Sequence, residues 1–140
     1  MKENILIVDD AEFSRGVMKQ ALLNAGFDNI IEATTADEAR KLVTNNDIDL
    51  TILDIMLPDN SDLKLLYEIL AIKKNARVAV ISAINKPEIT REALLAGARG
   101  FITKPFNESD FLCKVRMALE DWKKGTKQVE KLVLFPKFFL

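Results

Sequence analysis

The sequence predicts a doubly wound α/β domain, (βα)5, built on one parallel five-stranded sheet. Two observations predict it: five short apolar runs recur along the 140 residues, and between them apolar residues return at three- and four-residue spacing. Short continuous apolar runs suit strands buried on both faces, and the spacing between them suits amphipathic helices. Their alternation along one chain implies right-handed crossovers and a sheet covered on both sides.

The first run, 5–8, ends at the acidic pair Asp9 and Asp10. A helix follows with Phe13, Val17, Met18, Ala21 and Leu22 as its apolar stripe, and Gly26 stands where a helix commonly ends in a left-handed residue. The second strand is expected at 30–33. Thr35 and Glu38 then have the spacing of a capping box, ahead of a helix whose stripe is Ala39, Leu42 and Val43. The third strand, 50–53, runs into Asp54, and Asn60, Ser61 and Asp62 could cap the helix after it. The fourth run, 78–81, meets Ser82, and Gly97 closes the following helix. The fifth, 101–103, meets Lys104. Asn107, with Glu108 and Asp110 in the next turn, caps a last helix expected to reach about Trp122.

This length suits one domain, placed at 1–122, and the 49% apolar and 29% charged fractions suit a soluble globular chain. A net charge of −1 gives no general attraction to nucleic acid or anionic membranes. With one cysteine, Cys113, no intramolecular disulfide can form, and its apolar neighbours mark it as a packed small hydrophobe. The absence of histidine removes Cys/His zinc sites and histidine-based triads, so any metal here takes oxygen ligands. Four apolar residues before two acids make neither a secretory signal nor a membrane span, and a cytoplasmic location is expected. Residues 123–140 turn polar and then apolar, from Val129 to Leu140, interrupted by Lys131, Pro136 and Lys137. They read as a tail or the start of a linker to a further region, too short for a bilayer span or a helix-turn-helix, so no DNA binding by this chain is expected.

Asp9, Asp10 and Asp54 all fall at the carboxyl ends of predicted strands, the edge where doubly wound sheets bind ligands. If the strand order is 2-1-3-4-5, strands one and three are neighbours and the acids converge. Converging carboxylates repel unless a cation neutralises them, and hard oxygen donors suit Mg²⁺. Ser82 and Lys104, at the ends of strands four and five, offer a hydroxyl and a positive charge to an anion.

Together these residues resemble the CheY-like receiver domains of two-component response regulators, over 5 to about 122. The motifs that carry the resemblance are Asp9-Asp10, Asp54 with Met56 and Pro58, Ser82-Ala83, and Lys104-Pro105-Phe106. It implies a flavodoxin-like (βα)5 fold of order 2-1-3-4-5, and Asp54 as phosphoacceptor from a sensor histidine kinase or phosphotransfer protein. Mg²⁺ would lie on Asp10, Asp54 and the Met56 backbone carbonyl, with Asp9 acting through a water. Lys104 would pair with the phosphoryl group across a cis Lys104-Pro105 bond, while Ser82 and Phe101 form the switch. Output would pass to an unknown downstream protein or a homodimer through the face of helix four, strand five and helix five. The chain would be a stoichiometric phosphoacceptor that assists its own phosphorylation and slow dephosphorylation, not an enzyme acting on other substrates.

The sequence departs from the family where a glycine commonly follows the loop proline: here stand Asp59, Asn60, Ser61 and Asp62. An aspartate can adopt positive φ there at modest cost, which would leave the site intact, and Asn60, Ser61 and Asp62 could alternatively cap helix three. Met56 and Ile84 are apolar where many relatives are polar, which would position no attacking water and prolong the phosphoryl lifetime. A pseudo-receiver, acting as an interaction module without phosphotransfer, is the alternative. A small-molecule phosphotransferase or phosphatase would need an acid two residues after Asp54, where Met56 stands. A flavodoxin-like cofactor binder fits worse, since three acids would repel a flavin phosphate.

Overall fold

A computed structural model of the chain describes residues 2–84 and 86–120. Five strands alternate with five helices: β1 Asn4–Val8, α1 Glu12–Asn24, β2 Asn29–Ala33, α2 Ala36–Asn45, β3 Leu50–Asp54, α3 Lys64–Ile72, β4 Val78–Ser82, α4 Pro87–Ala96, β5 Gly100–Thr103 and α5 Glu108–Leu119. The strands form one sheet in the order β2-β1-β3-β4-β5, and every pair is parallel. Each strand is one residue longer than its apolar run, because ladder pairing is made by backbone whatever the side chain. Asp54 and Ser82 are therefore the last paired residues of β3 and β4, opposite Ile81 and Thr103, rather than the first of a loop.

Strand alternation divides the core in two. Leu6, Val8, Leu53, Val78, Val80 and Phe101 face α2, α3 and α4. Ile5, Ile7, Leu50, Ile52, Ala79, Ile81 and Ile102 face α1 and α5 through Met18, Leu22, Phe111 and Val115. Burying each large aliphatic side chain contributes about 1.5–3 kcal/mol, so both faces hold the strand ends rigidly in register.

The α1 stripe differs from expectation. Met18, Ala21 and Leu22 are buried, but Phe13 is 84% exposed and Val17 40%. At 3.6 residues per turn Phe13 lies about 140° around the helix from Met18, outside any one buried face. Among the described residues no helix is long and apolar enough to cross a membrane. Cys113 is a half-buried free thiol on α5. That helix ends at Leu119, and the expected extension to Trp122, like the segment 123–140, lies outside the described residues.

Local chemistry sets the boundaries. Gly26 and Gly97 take positive φ, 94° and 123°, after α1 and α4, and a Cβ at Gly97 would also crowd Leu70 at 3.3 Å. Asn107 caps α5 by accepting from the Asp110 N–H at 2.8 Å. Thr35 caps α2, its Oγ1 accepting from the Glu38 N–H at 3.1 Å, while Glu38 reaches back one residue further than a capping box, to the N–H and hydroxyl of Thr34. Thr35→Ala leaves that N–H without its cap, and urea denaturation is expected to show about 1 kcal/mol lost with an unchanged m-value.

The loop between β3 and α3 also differs from expectation. No described residue other than glycine has positive φ, so no aspartate replaces the missing glycine in that conformation. Instead Leu57 and Asn60 pair across a tight turn, at 2.7 and 3.2 Å. Asn60 is buried and donates to the carbonyls of Ile55 and Asp62 while accepting from the Leu65 N–H. Asp62 accepts from the Lys64 N–H, so Asn60 and Asp62, though not Ser61, serve the start of α3. Asp59 crosses to α2, accepting from the N–H groups of Ala36 at 2.7 Å and Asp37 at 3.1 Å. The Ala36 N–H, then that of Asp37, hold its carboxyl below the usual range despite some desolvation.

Candidate functional site

The carboxyl ends of β1, β3, β4 and β5 bring together the side chains singled out in the sequence. Carboxylate oxygens of Asp9, Asp10 and Asp54 lie within 4.8 Å of one another. Lys104 Nζ, arriving from the end of β5, donates to Asp54 Oδ2 at 2.7 Å and to Asp9 Oδ2 at 2.8 Å. The second oxygen of each buried acid accepts a backbone N–H two residues on: Asp9 Oδ1 from Ala11 and Asp54 Oδ1 from Met56, both at 2.9 Å. Asp9 and Asp54 are buried, whereas Asp10 is exposed at the rim.

Electrostatics follow from that burial. Desolvation pushes the Asp54 carboxyl above its ordinary pKa, and repulsion from Asp9 adds to it, against the pull of Lys104 and the Met56 N–H. Burial by itself would lower Lys104, but its bonds to Asp54 and Asp9 outweigh that and raise it, so the ammonium stays charged. One cation against three carboxylates leaves the cluster with excess negative charge.

Ser82 is fully buried, and its Oγ accepts from the Ile84 N–H at 3.0 Å. The Lys104 N–H donates to the Ser82 carbonyl at 2.8 Å, tying the ends of β4 and β5. The Lys104-Pro105 bond is cis. Phe106 beyond it stacks on Phe111, with centroids 5.0 Å apart, and so moors the lysine's loop to α5. Phe101, the expected aromatic switch, is 2% exposed and already packed in the core beneath α3 and α4. Met56 is 44% exposed at the mouth, and Ile84 is half-buried.

Residues 5–116 match the response regulator receiver domain family. The chain belongs to that family. This receiver domain is 37% identical over 109 residues to the chemotaxis protein CheY of Thermotoga maritima, covering 78% of this chain and 91% of that protein. It is 34% identical over 119 residues to CheY of Bacillus subtilis, covering 85% and 99%. Among solved structures it resembles one in the CheX-CheY-BeF3-Mg²⁺ complex of Borrelia burgdorferi, with a TM-score of 0.80 and 34% identity over 85% of this chain and 90% of that one. A CheY-like receiver domain protein of Methanospirillum hungatei superposes with a TM-score of 0.77 at 31% identity, over 84% and 93%.

Two side chains of the receiver's site went unread in the sequence. Arg15 on α1 donates through Nη1 to the Asp9 backbone carbonyl at 3.0 Å and through Nε to Glu32 Oε1 at 2.9 Å. Glu32, on β2, also receives Lys19 at 3.1 Å. Burial works to raise the Glu32 carboxyl, but Lys19 and Arg15 together hold it below the usual range. The available signals were a charged residue inside the apolar run of β2, and a base in the first turn of the helix that follows the acidic pair.

Proposed function

We propose that this receiver domain is the phosphoacceptor switch of a two-component phosphorelay, taking a phosphoryl group on Asp54 from a histidine kinase or phosphotransfer protein with Mg²⁺. The observation that carries this reading is the Lys104 ammonium bridging Asp54 and Asp9 inside a three-carboxylate cluster. Family membership supports it as well. So does the likeness to the Borrelia burgdorferi protein, whose structure holds BeF3 and Mg²⁺.

The cluster's donor set fits Mg²⁺: hard carboxylate oxygens, excess negative charge and an open rim at Asp10. Asp10, Asp54 and the Met56 carbonyl would hold the ion. Asp9, fully buried, would act through a water, as the family resemblance implies. When bound, the ion supplies positive charge to the phosphoryl oxygens and offsets the carboxylates.

The chain's own residues would do the rest. The Met56 N–H and Lys104 orient the Asp54 carboxylate, one oxygen of which attacks phosphorus in line. As that bond forms, the bond from phosphorus to the donor nitrogen breaks. Its electron pair leaves with the nitrogen, which takes up a proton. Lys104 then follows the charge onto the transferred group. Ser82 can turn its hydroxyl from the Ile84 N–H toward the new acyl phosphate, loosening the chain before α4. Phe101 already lines that core, so the reading gives it the task of holding the space vacated rather than entering it. The altered face of α4, β5 and α5 would bind a downstream protein or a second copy. The chain would act stoichiometrically, with Met56 and Ile84 keeping attacking water poorly placed.

The test is incubation with phosphoramidate or acetyl phosphate and Mg²⁺, read by intact mass. A single phosphoryl adduct is expected, absent in EDTA and lost only over many minutes after the donor is removed. A folded protein that takes up no phosphoryl group would overturn the reading in favour of an interaction module.

A further inference from the structure

We propose that Arg15 is the positioning residue for the metal ligand Asp10, and hence for Mg²⁺ affinity, an inference that rests on the phosphoacceptor reading. Asp9 is fixed at every polar group: its N–H donates to the Ala33 carbonyl, its carboxylate is shared between Ala11 and Lys104, and its carbonyl accepts from Arg15. The Asp9 carbonyl belongs to the peptide that leads into Asp10. Gripping that oxygen fixes the tilt of the peptide plane and with it the direction in which the Asp10 side chain leaves the backbone. The Asp10 carboxylate stands exposed at the rim of the cluster, where the peptide behind it sets its direction.

Arg15 is itself held. Its N–H donates to the Ala11 carbonyl within the first turn of α1, and its guanidinium is anchored to Glu32, which Lys19 braces from the next turn. A planar guanidinium can serve Asp9 and Glu32 together through separate N–H groups, an arrangement a lysine ammonium does not reproduce from the same stem. Because the Arg15 charge is spent on Glu32 at 2.9 Å, its part at the site is geometric.

Geometry and charge predict opposite signs. A cation placed behind a metal site weakens Mg²⁺ by repulsion, so if charge ruled, Arg15→Gln would tighten Mg²⁺ and Arg15→Lys would leave it unchanged. If Arg15 positions Asp10, both variants weaken Mg²⁺, by roughly tenfold, as loss of an outer partner of a ligand commonly does.

The experiment follows the melting temperature of the wild type, Arg15→Lys and Arg15→Gln against Mg²⁺ concentration, which gives an apparent Kd without reference to activity. Phosphoramidate uptake is measured beside it. Weaker Mg²⁺ binding in both variants, with uptake at saturating Mg²⁺ restored to within a few-fold of the wild type, is the expected result. Unchanged or tighter binding in Arg15→Lys overturns the proposal, and that variant decides alone if Arg15→Gln fails to fold. A wild type that takes up phosphoryl group and binds Mg²⁺ as its variants do would sink only the role of Arg15. A wild type that does neither would sink the phosphoacceptor reading as well.

Discussion

Asp54→Asn is expected to abolish phosphoryl uptake while leaving the domain at least as stable as the wild type in EDTA. An amide oxygen can keep the bond from the Met56 N–H, but it does not form a stable acyl phosphate. Stability follows from the sign of the Asp54 shift. Its surroundings, burial first, raise its pKa, so its favourable contribution belongs to the protonated form and is lost as pH rises through the folded value. At neutral pH the ionised side chain is a net burden, and asparagine removes it at nearly constant volume. Intact mass with phosphoramidate and Mg²⁺ tests the first part, and melting in EDTA the second. An adduct on the variant would move the acceptor to Asp9 or Asp10, and a clearly lower melting temperature would contradict the electrostatic account.

Lys104→Met should act in the opposite direction on stability and in the same direction on chemistry. Methionine keeps the stem but leaves two buried carboxylates, at 0% and 4% exposure, without the ammonium that bridges them. Breaking a buried pair from one side commonly costs about 3 kcal/mol or more, which denaturation in EDTA would register and added Mg²⁺ would partly restore. Removing one preorganised donor to developing charge slows a reaction by roughly 10²- to 10³-fold, so initial uptake at saturating Mg²⁺ should fall by that order. A fall of less than tenfold would confine Lys104 to holding the two acids together.

What could be read from the sequence was whatever depends on short-range pattern. The five apolar runs placed every strand to within a residue, and the acids, Ser82 and Lys104 lie at the strand ends where that alternation put them. Phe13 shows where the pattern stops: its spacing admits it to a stripe, but about 140° of rotation takes it off the buried face. Partnerships formed by the fold left no local trace. Arg15 and Glu32 are 17 residues apart, and Asp59 caps a helix that begins 23 residues before it. The missing loop glycine and Asn60 as a cap for α3 were visible, but the bonds Asn60 donates to the Ile55 and Asp62 carbonyls were not, because a buried asparagine reads in sequence like any turn residue.

The two anchors of the β3–α3 loop stiffen the site on the flank toward α2. On the flank toward α2, a shift at Met56 has to lift Asp59 off two helix N–H groups and pull Asn60 out of a buried three-way bond. On the flank toward α4, Ser82 holds the following chain through the Ile84 N–H. A shift at Met56 toward α2 is thus opposed by five hydrogen bonds. Like a plate clamped along one edge, the loop beside Asp54 is braced on that flank before any ligand arrives.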